Sequence, residues 1–241
     1  MSTIYLIPCV LAEGAKETIP PYVTDAVKKC SVIFAENERT ARRYLKMMDS
    51  SIVIDEYEWF AIHKVEEEQL RNFTEKIKQG KDIAIISEAG CPGVADPGQL
   101  LIAAAQKLNC SIRPLVGPSS ILLALMASGM TGQQFEFVGY LPIDNTEKIK
   151  KIKELEAASR KSNSTKIFIE TPYRNDQLLE SLLRSCEKTT LLCIAANITA
   201  SNEMIRTLSI GEWEKKKPAL HKQPAIFLLY AGIISPTTHH K

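Results

Sequence analysis

The sequence predicts an α/β protein of two α/β domains, the first with a doubly wound, mostly parallel sheet and the second with a mixed sheet. In residues 1–128, short apolar runs alternate with helical patterns, which is typical of parallel strands joined by crossover helices. Residues 128–134 are polar and contain two glycines, so we place a boundary there, between domains 1–128 and 129–241. Residues 203–210 alternate in polarity, which favours an antiparallel strand. We expect a ligand cleft between the two domains.

The composition is that of an ordinary globular protein, with 45% hydrophobic residues, 24% charged residues and a net charge of +2. This small charge argues against a general affinity for nucleic acid. The N-terminus lacks the pattern of a signal peptide and no apolar run approaches the ~18 residues of a membrane span, so we expect a soluble, cytoplasmic protein. Six cysteines form no CxxC pair, and His63, His221, His239 and His240 show no ligand spacing, so we expect free thiols and no metal site.

The elements of the first domain follow from its apolar runs. Strands are predicted at residues 4–7, 32–35, 52–54, 83–86 and 112–116. Helices are predicted at residues 20–29, 40–47, 65–79, 99–108 and 121–127. Pro20 and Pro21 suit the first positions of a helix, and Gly80 suits a helix end.

The second domain is predicted in the same way. Strands are expected at residues 135–138, 166–170, 190–196, 203–210 and 223–230, and helices at residues 145–161 and 171–186. Residues 212–217 form a short helix or a loop. The lysine run at residues 147–153 fits either the solvated face of an amphipathic helix or a contact with phosphates, and both interpretations stay open.

The most informative stretch is the loop of residues 87–98, Ser-Glu-Ala-Gly-Cys-Pro-Gly-Val-Ala-Asp-Pro-Gly, which joins a buried strand to a helix. Such connections usually contain about 2–6 residues. Three glycines allow close approach of the backbone to a ligand, and two prolines stiffen the loop. Because ligands of open α/β sheets bind beyond the carboxyl ends of strands, we interpret this loop as a binding surface. Its spacing excludes the Walker A and GxGxxG patterns.

Other polar residues are expected at the same edge of the sheet. Glu36 and Glu38 follow the second strand, where a carboxylate can bind a ribose hydroxyl or simply face solvent. Gly117-Pro-Ser-Ser120 precedes a helix. Its serines either cap that helix or contact a ligand, and both interpretations stay open. No GxSxG motif is present, so nucleophilic hydrolase chemistry is unsupported.

Four motifs together resemble the tetrapyrrole methylase superfamily, and within it the branch that methylates a ribose 2′-hydroxyl of small-subunit ribosomal RNA. The loop at residues 87–98 resembles the family's Ser-Asp-Ala-Gly-Thr-Pro-x-x-Ser-Asp-Pro-Gly. Residues 117–120 resemble Gly-Pro-Ser-Ala, residues 137–142 resemble Phe-x-Gly-Phe-Leu-Pro, and residues 170–174 resemble Glu-Ser-Pro-His-Arg. Their order and spacing agree with the family.

The resemblance implies a homodimeric methyltransferase (EC 2.1.1.-) that uses S-adenosylmethionine, folded in the cleft between domains. Glu36, Glu38, Glu170 and Arg174 are the candidates for holding or deprotonating the acceptor, and no base is assigned among them. By position, the family's cofactor contacts fall on the following residues: Pro8, Leu11, Glu88, Ala89, Gly90, Cys91, Ser119, Ser120, Ile121, Ala196, Asn197, Pro224 and Ala225.

Departures from the family motifs leave the acceptor open. In the loop of residues 87–98, Glu88 replaces the family's Asp. At residues 196–200, Ala-Asn-Ile-Thr-Ala replaces the family's Arg-Glu-Leu-Thr-Lys. The chain therefore resembles a diverged paralogue. Three alternatives stay open. The acceptor is a ribosomal RNA ribose, or it is a small tetrapyrrole-like molecule, or the protein is a non-catalytic paralogue that binds S-adenosylmethionine or RNA and has no acceptor.

Overall fold

A computed structural model describes residues 2–62 and 66–233, with the backbone alone at residue 66. The chain folds into two compact units, Met1–Ser119 and Ser120–Lys241. The division lies nine residues before the boundary placed after residue 128. The helix that begins at Ser120 explains the difference, since it packs on two strands of the second unit.

The first unit contains a five-stranded sheet in the order β3-β2-β4-β1-β5, and each of its strand pairs is parallel. Its strands are β1 (Thr3–Ile7), β2 (Val32–Ala35), β3 (Glu58–Ala61), β4 (Ile83–Ile86) and β5 (Ser111–Pro114). Its helices are α1 (Tyr22–Val27), α2 (Glu38–Met48), α3 (Glu66–Lys78) and α4 (Gln99–Lys107).

Helices cover both faces of this sheet, which confirms the doubly wound prediction. Successive residues of a strand point to opposite faces. On β4, Ala84 and Ile86 belong to the core that contains residues of α1 and α2. Ile83 and Ile85 belong to the core that contains Phe73 of α3 and residues of α4. β4 is thus buried on both faces, as its continuous apolar run predicts.

The prediction of a strand at residues 52–54 is wrong. Ile54–Glu56 form a 3-10 helix, and the strand at the edge of the sheet is β3 instead. Aromatic packing decides the choice, because Phe60 stacks on Phe34 with ring centroids 4.7 Å apart. Trp59 Nε1 also donates to the Ile54 carbonyl at 3.0 Å, which fixes the preceding turn.

The second unit contains a mixed sheet in the order β6-β7-β10-β8-β9, as predicted. β6 and β7 are parallel, and the other three pairs are antiparallel. Its strands are β6 (Phe135–Tyr140), β7 (Thr165–Ile169), β8 (Leu191–Ala196), β9 (Met204–Ser209) and β10 (Ala225–Tyr230). Its helices are α5 (Ser120–Ser128), α6 (Asn145–Ser162), α7 (Asn175–Ser185) and α8 (Ile210–Trp213).

One hydrophobic core joins α6 and α7 to the second sheet. Phe168 of β7 and Phe227 of β10 stack with centroids 6.0 Å apart, beneath leucines of α7. Trp213 is buried in the same core and its indole donates to the Leu192 carbonyl at 2.8 Å. α5 packs against β9 and β10. Within the described residues, no helix has both the length and the apolarity to cross a membrane.

Candidate active site

Three loops of the first unit leave the same edge of its sheet. Because β1, β4 and β5 are parallel, the chain leaves each of them at the carboxyl edge. Two backbone hydrogen bonds join the loop after β1 to the loop after β4: Cys9 N donates to Gly90 O at 2.8 Å, and Gly90 N donates to Cys9 O at 3.1 Å. The loop after β5 closes the group through Cys91, whose thiol donates to Pro118 O at 3.5 Å. The predicted common edge is confirmed.

Glycine is required where these loops meet. Gly90 has φ +70°, and a Cβ there would lie 3.3 Å from Leu11 Cδ2 and 3.5 Å from Pro118 O. A Cβ on Gly117 would lie 2.1 Å from Cβ of Pro8, a distance that real side chains do not tolerate. The two glycines therefore allow the three loops to approach one another at backbone distance.

Two tyrosines fix two of the three loops at this edge. The buried Tyr44 hydroxyl, from α2, donates to the Pro8 carbonyl at 2.6 Å. Val116 N donates to the Tyr22 hydroxyl at 2.7 Å. α1 and α2 thus hold the loops after β1 and β5 in place before any ligand binds.

Three carboxylates share this edge. Glu88 N donates to Glu36 Oε2 at 2.8 Å, while Glu36 N donates to the Ile86 carbonyl at 2.9 Å. Burial raises the pKa of Asp96 to about 6, and the charges of Glu36 and Glu88 add to the rise. A positively charged ligand would relieve this repulsion.

The thiols beside the carboxylates are poor nucleophiles. Burial, and then the charge of Asp96, raise the pKa of Cys9 and of Cys91 above the ordinary thiol value. Both side chains are therefore neutral at physiological pH. All six cysteines of the chain are free thiols.

The predicted site residues of the first unit fall into two groups. Pro8, Leu11, Ser119 and residues 88–91 lie on the three loops that meet at the carboxyl edge. Glu36 joins them through its contact with Glu88. Glu38 instead lies in the first turn of α2 and pairs with Arg42 at 3.6 Å. Its geometry is that of a helix-stabilising residue.

In the second unit, Glu170 and Arg174 form a close pair at the end of β7. Arg174 Nη2 donates to Glu170 Oε1 at 2.6 Å and Nε donates to the same oxygen at 3.1 Å. Thr171 N also donates to this oxygen at 2.7 Å. The Glu170 side chain is 1% exposed, and its other oxygen, Oε2, is buried without a hydrogen-bond partner. Oε2 is thus an acceptor to which a ligand could donate a hydrogen bond.

Four other predicted residues of the second unit, Ala196, Asn197, Pro224 and Ala225, lie at the same edge of its sheet. Ala196 of β8 pairs with Ala225 of β10, and Asn197 N donates to Pro224 O at 2.9 Å. The Asn197 side chain donates to Gln223 Oε1 at 2.7 Å. β7 pairs with β10 through Ile169 and Ile226, so Glu170 follows at this edge. Ser120 and Ile121 begin α5 of this unit.

Two residues that the sequence analysis did not select belong to these groups. Asp96 lies in the loop of residues 87–98, and the only sequence signal was that this loop contains two carboxylates. Asn175 donates to the Gln223 carbonyl at 2.6 Å, and its Oδ1 is buried without a partner. Nothing in the sequence indicates that residue 175 and residue 223 meet.

The possible metal ligands and the lysine run are the remaining sequence features. Within the part of the chain that the structure describes, no group of three or more His, Cys, Asp or Glu residues could hold a metal ion. His63, His239 and His240 lie outside the described residues. The lysine run of α6 is not a uniform solvated face, because Lys148 is 2% exposed while Lys150 and Lys153 are exposed.

Comparison with known proteins places the chain in one family. A family model described as Tetrapyrrole (Corrin/Porphyrin) Methylases matches residues 13–214. Ribosomal RNA small subunit methyltransferase I of Vibrio cholerae is 28% identical over 210 residues, which cover 87% of this chain and 69% of that protein. The protein of the same name from Bacillus subtilis is 32% identical over 183 residues, 76% of this chain and 59% of that protein. In the Micromonospora olivasterospora protein of that name, the match spans 54% of its length.

Solved structures share the fold. The methyltransferase CobJ has a TM-score of 0.61 at 19% identity, over 95% of this chain and 93% of that one. Uroporphyrin-III-C-methyltransferase from Thermus thermophilus has a TM-score of 0.56 at 15% identity, over 95% of this chain and 92% of that one. The family model matches most of the chain, and the motifs of the site and the shared fold agree with that match. The chain therefore belongs to the tetrapyrrole (corrin/porphyrin) methylase family.

Proposed function

We propose that this protein is a cytoplasmic methyltransferase that transfers the methyl group of S-adenosylmethionine to a ribose hydroxyl of small-subunit ribosomal RNA. One observation carries the proposal: at the carboxyl edge of the first sheet, backbone hydrogen bonds join the loop of residues 87–98 to the loop after β1. Three carboxylates lie beside these loops. Edges of this kind are where open α/β sheets bind their ligands.

The residues at this edge fit S-adenosylmethionine. The cofactor bears a positive sulfonium and a positive ammonium, and Glu36, Glu88 and Asp96 supply negative charge. Gly90 is buried between Leu11 and Pro118 and closes the loops behind these carboxylates. We propose the cofactor contacts that the resemblance implies, with Asp96 added to them. The contacts proposed from the second unit are Ser120, Ile121, Ala196, Asn197, Pro224 and Ala225.

The cofactor supplies an activated methyl group, so the protein has to orient the acceptor and accept its proton. When bound, S-adenosylmethionine would donate its methyl group to the acceptor oxygen, and its sulfur would keep the electron pair of the broken bond. We propose that Glu170 Oε2 receives the hydrogen bond or the proton of that hydroxyl. Arg174 and Thr171, which already occupy Oε1, hold the carboxylate in this orientation.

The names of the relatives support an RNA acceptor, and the departures at residues 196–200 are the reason to test it directly. We would incubate the protein and radiolabelled S-adenosylmethionine with ribosomal RNA from a strain that lacks the protein. Label in the small-subunit RNA supports the proposal. Label only in an added tetrapyrrole favours a small-molecule acceptor, and binding of cofactor without transfer favours a non-catalytic paralogue.

Gly90→Val tests the binding edge in the same experiment. The added side chain would meet Leu11 and the backbone of Pro118, so cofactor binding and methyl transfer should both fall. Gly129→Val is the matched control, because Gly129 also has φ +70° and a Cβ there meets no atom within 4 Å. Unchanged cofactor affinity in a folded Gly90→Val variant would contradict the proposed edge.

We also propose that the protein acts as a homodimer. α5 carries no charged side chain, and its apolar residues Leu122 and Met126 are 51% and 80% exposed one helical turn apart. A helix that is apolar on all sides is normally covered. Light scattering of the native protein and of Met126→Glu tests this proposal: a dimer that the variant splits supports it, and a monomeric native protein contradicts it.

A further inference from the structure

A small exposed patch of the second unit combines an aromatic ring with positive charge. Tyr173 is 68% exposed, although it lies in a fixed turn directly after β7. Lys222 Nζ lies 6.0 Å from the centroid of its ring. The His221 ring approaches at 6.0 Å between centroids and at 76° to the tyrosine plane. We refer to Tyr173, His221 and Lys222 as the Tyr173 patch.

Backbone contacts assemble the patch from two distant segments of the chain. Lys222 N donates to the Pro172 carbonyl at 3.0 Å, and Arg174 N donates to the Thr171 carbonyl at 2.9 Å. Lys222 has φ +61°, a conformation that its neighbours must hold in place. The backbone that carries Tyr173, His221 and Lys222 is therefore held in place before a ligand arrives, which reduces the entropy lost on binding.

The chemistry of the patch suits an unpaired nucleotide. A tyrosine ring with accessible area can stack on any base, and a neighbouring ammonium can contact the adjoining phosphate. Paired bases offer no free face, so single strands and loops are the RNA forms that proteins recognise by stacking. Of the nearby acidic groups, Glu170 is already neutralised by Arg174, and Asp176 accepts from Leu220 N at 2.8 Å.

We infer that the Tyr173 patch binds an unpaired nucleotide of an RNA, with the base stacked on Tyr173 and the phosphate beside Lys222. This inference rests on the proposed function and deepens it, since it specifies how the acceptor RNA is held next to the Glu170–Arg174 pair. Tyr173 lies between Glu170 and Arg174 in the chain, so a bound strand would be anchored beside the proposed acceptor group.

The test is fluorescence anisotropy of the full chain with a labelled 12-nucleotide single-stranded RNA and with the matching duplex. Tyr173→Ala should weaken single-strand binding roughly tenfold, and Tyr173→Trp should restore it, since base stacking typically contributes ~1–3 kcal/mol. Lys222→Gln should lower the slope of log affinity against log salt by about 0.7. Phe135→Ala is the control, because Phe135 is an exposed aromatic residue at the first position of β6, away from the patch.

Several results would overturn the inference: equal affinity of native protein and Tyr173→Ala, equal affinity for duplex and single strand, no binding of RNA by the native protein, or equally effective competition by polyglutamate. A titration with S-adenosylmethionine runs alongside. If the cofactor does not bind while the Tyr173 variants change RNA affinity as expected, the proposed methyl transfer fails and the RNA patch stands. If the cofactor binds and the variants change nothing, only the patch is refuted.

Discussion

Asp96→Asn should make the protein more stable and at the same time weaken cofactor binding. Burial and the charges of Glu36 and Glu88 raise the pKa of Asp96 from 3.8 to about 6. One pKa unit corresponds to about 1.36 kcal/mol, which sets a ceiling of roughly 3 kcal/mol for the cost of ionising Asp96 in the folded protein. Asp96 is only partly buried, so screening by solvent should leave about 1 kcal/mol.

The sign of the effect depends on pH. Because the folded-state pKa is higher than the unfolded one, the protonated carboxyl costs little below about pH 4. The cost accumulates as pH rises from about 4 to about 6 and is complete above that. The asparagine variant avoids this cost. Urea unfolding should therefore show equal stability of variant and native protein at pH 4, and a gain of about 1 kcal/mol for the variant at pH 7.5.

Calorimetric titration with S-adenosylmethionine at pH 7.5 gives the second half of the prediction. If Asp96 is retained to hold a cationic ligand, its removal should weaken binding by about tenfold, close to 1.4 kcal/mol. Asp55→Asn is the control, since the Asp55 side chain is 95% exposed. A variant that gains no stability at pH 7.5, or one that binds the cofactor as tightly as the native protein, would refute the reasoning.

Three further substitutions test the contacts at the two sheet edges by urea unfolding. Tyr44→Phe leaves the Pro8 carbonyl without its donor and should cost about 1–2 kcal/mol. Arg174→Ala leaves a carboxylate that is 1% exposed without its counter-charge and should cost about 3 kcal/mol, more than Glu170→Gln. Gly117→Ala forces a Cβ against Pro8; it should cost about 2 kcal/mol and also weaken cofactor binding.

Each of these substitutions has a comparison that separates its cause from general sensitivity. Tyr173→Phe removes a hydroxyl from an exposed ring and should leave stability unchanged. Gly132→Ala adds a Cβ in open space and should do the same. If Glu170→Gln costs as much as Arg174→Ala, the stranded carboxylate is not the reason for the loss. If Gly117→Ala and the native protein unfold at the same urea concentration, the close approach of residue 117 to Pro8 does not limit the side chain there.

Much of the fold could be predicted because local signals agreed with tertiary packing. β4 is a continuous apolar run between turn residues, and it is buried on both faces as such a run requires. β3 was missed because its apolar run, residues 59–62, has no stronger strand pattern than residues 52–54, and the packing that selects it comes from Phe34 of a neighbouring strand. Strand order in each sheet is likewise set by contacts between distant segments.

The candidate site could be predicted in part for the same reason. The loop of residues 87–98 is recognisable because its glycines and prolines lie within a single stretch. The bonds from Cys9 to Gly90 and from Asn175 to Gln223 join segments that carry no mutual signal in one sequence. The pKa of Asp96 depends on Glu36, sixty residues earlier, so only the folded chain shows it. Electrostatics and long-range contacts are the properties that the sequence leaves open.

The most direct test of the proposed function is a crystal structure of the protein grown with S-adenosylmethionine or S-adenosylhomocysteine. The account predicts density for the ligand against the backbone of residues 88–91 and the loop after β1, with its positive groups toward Glu36, Glu88 and Asp96. Ligand density elsewhere, or an edge that stays empty at saturating ligand, would contradict it.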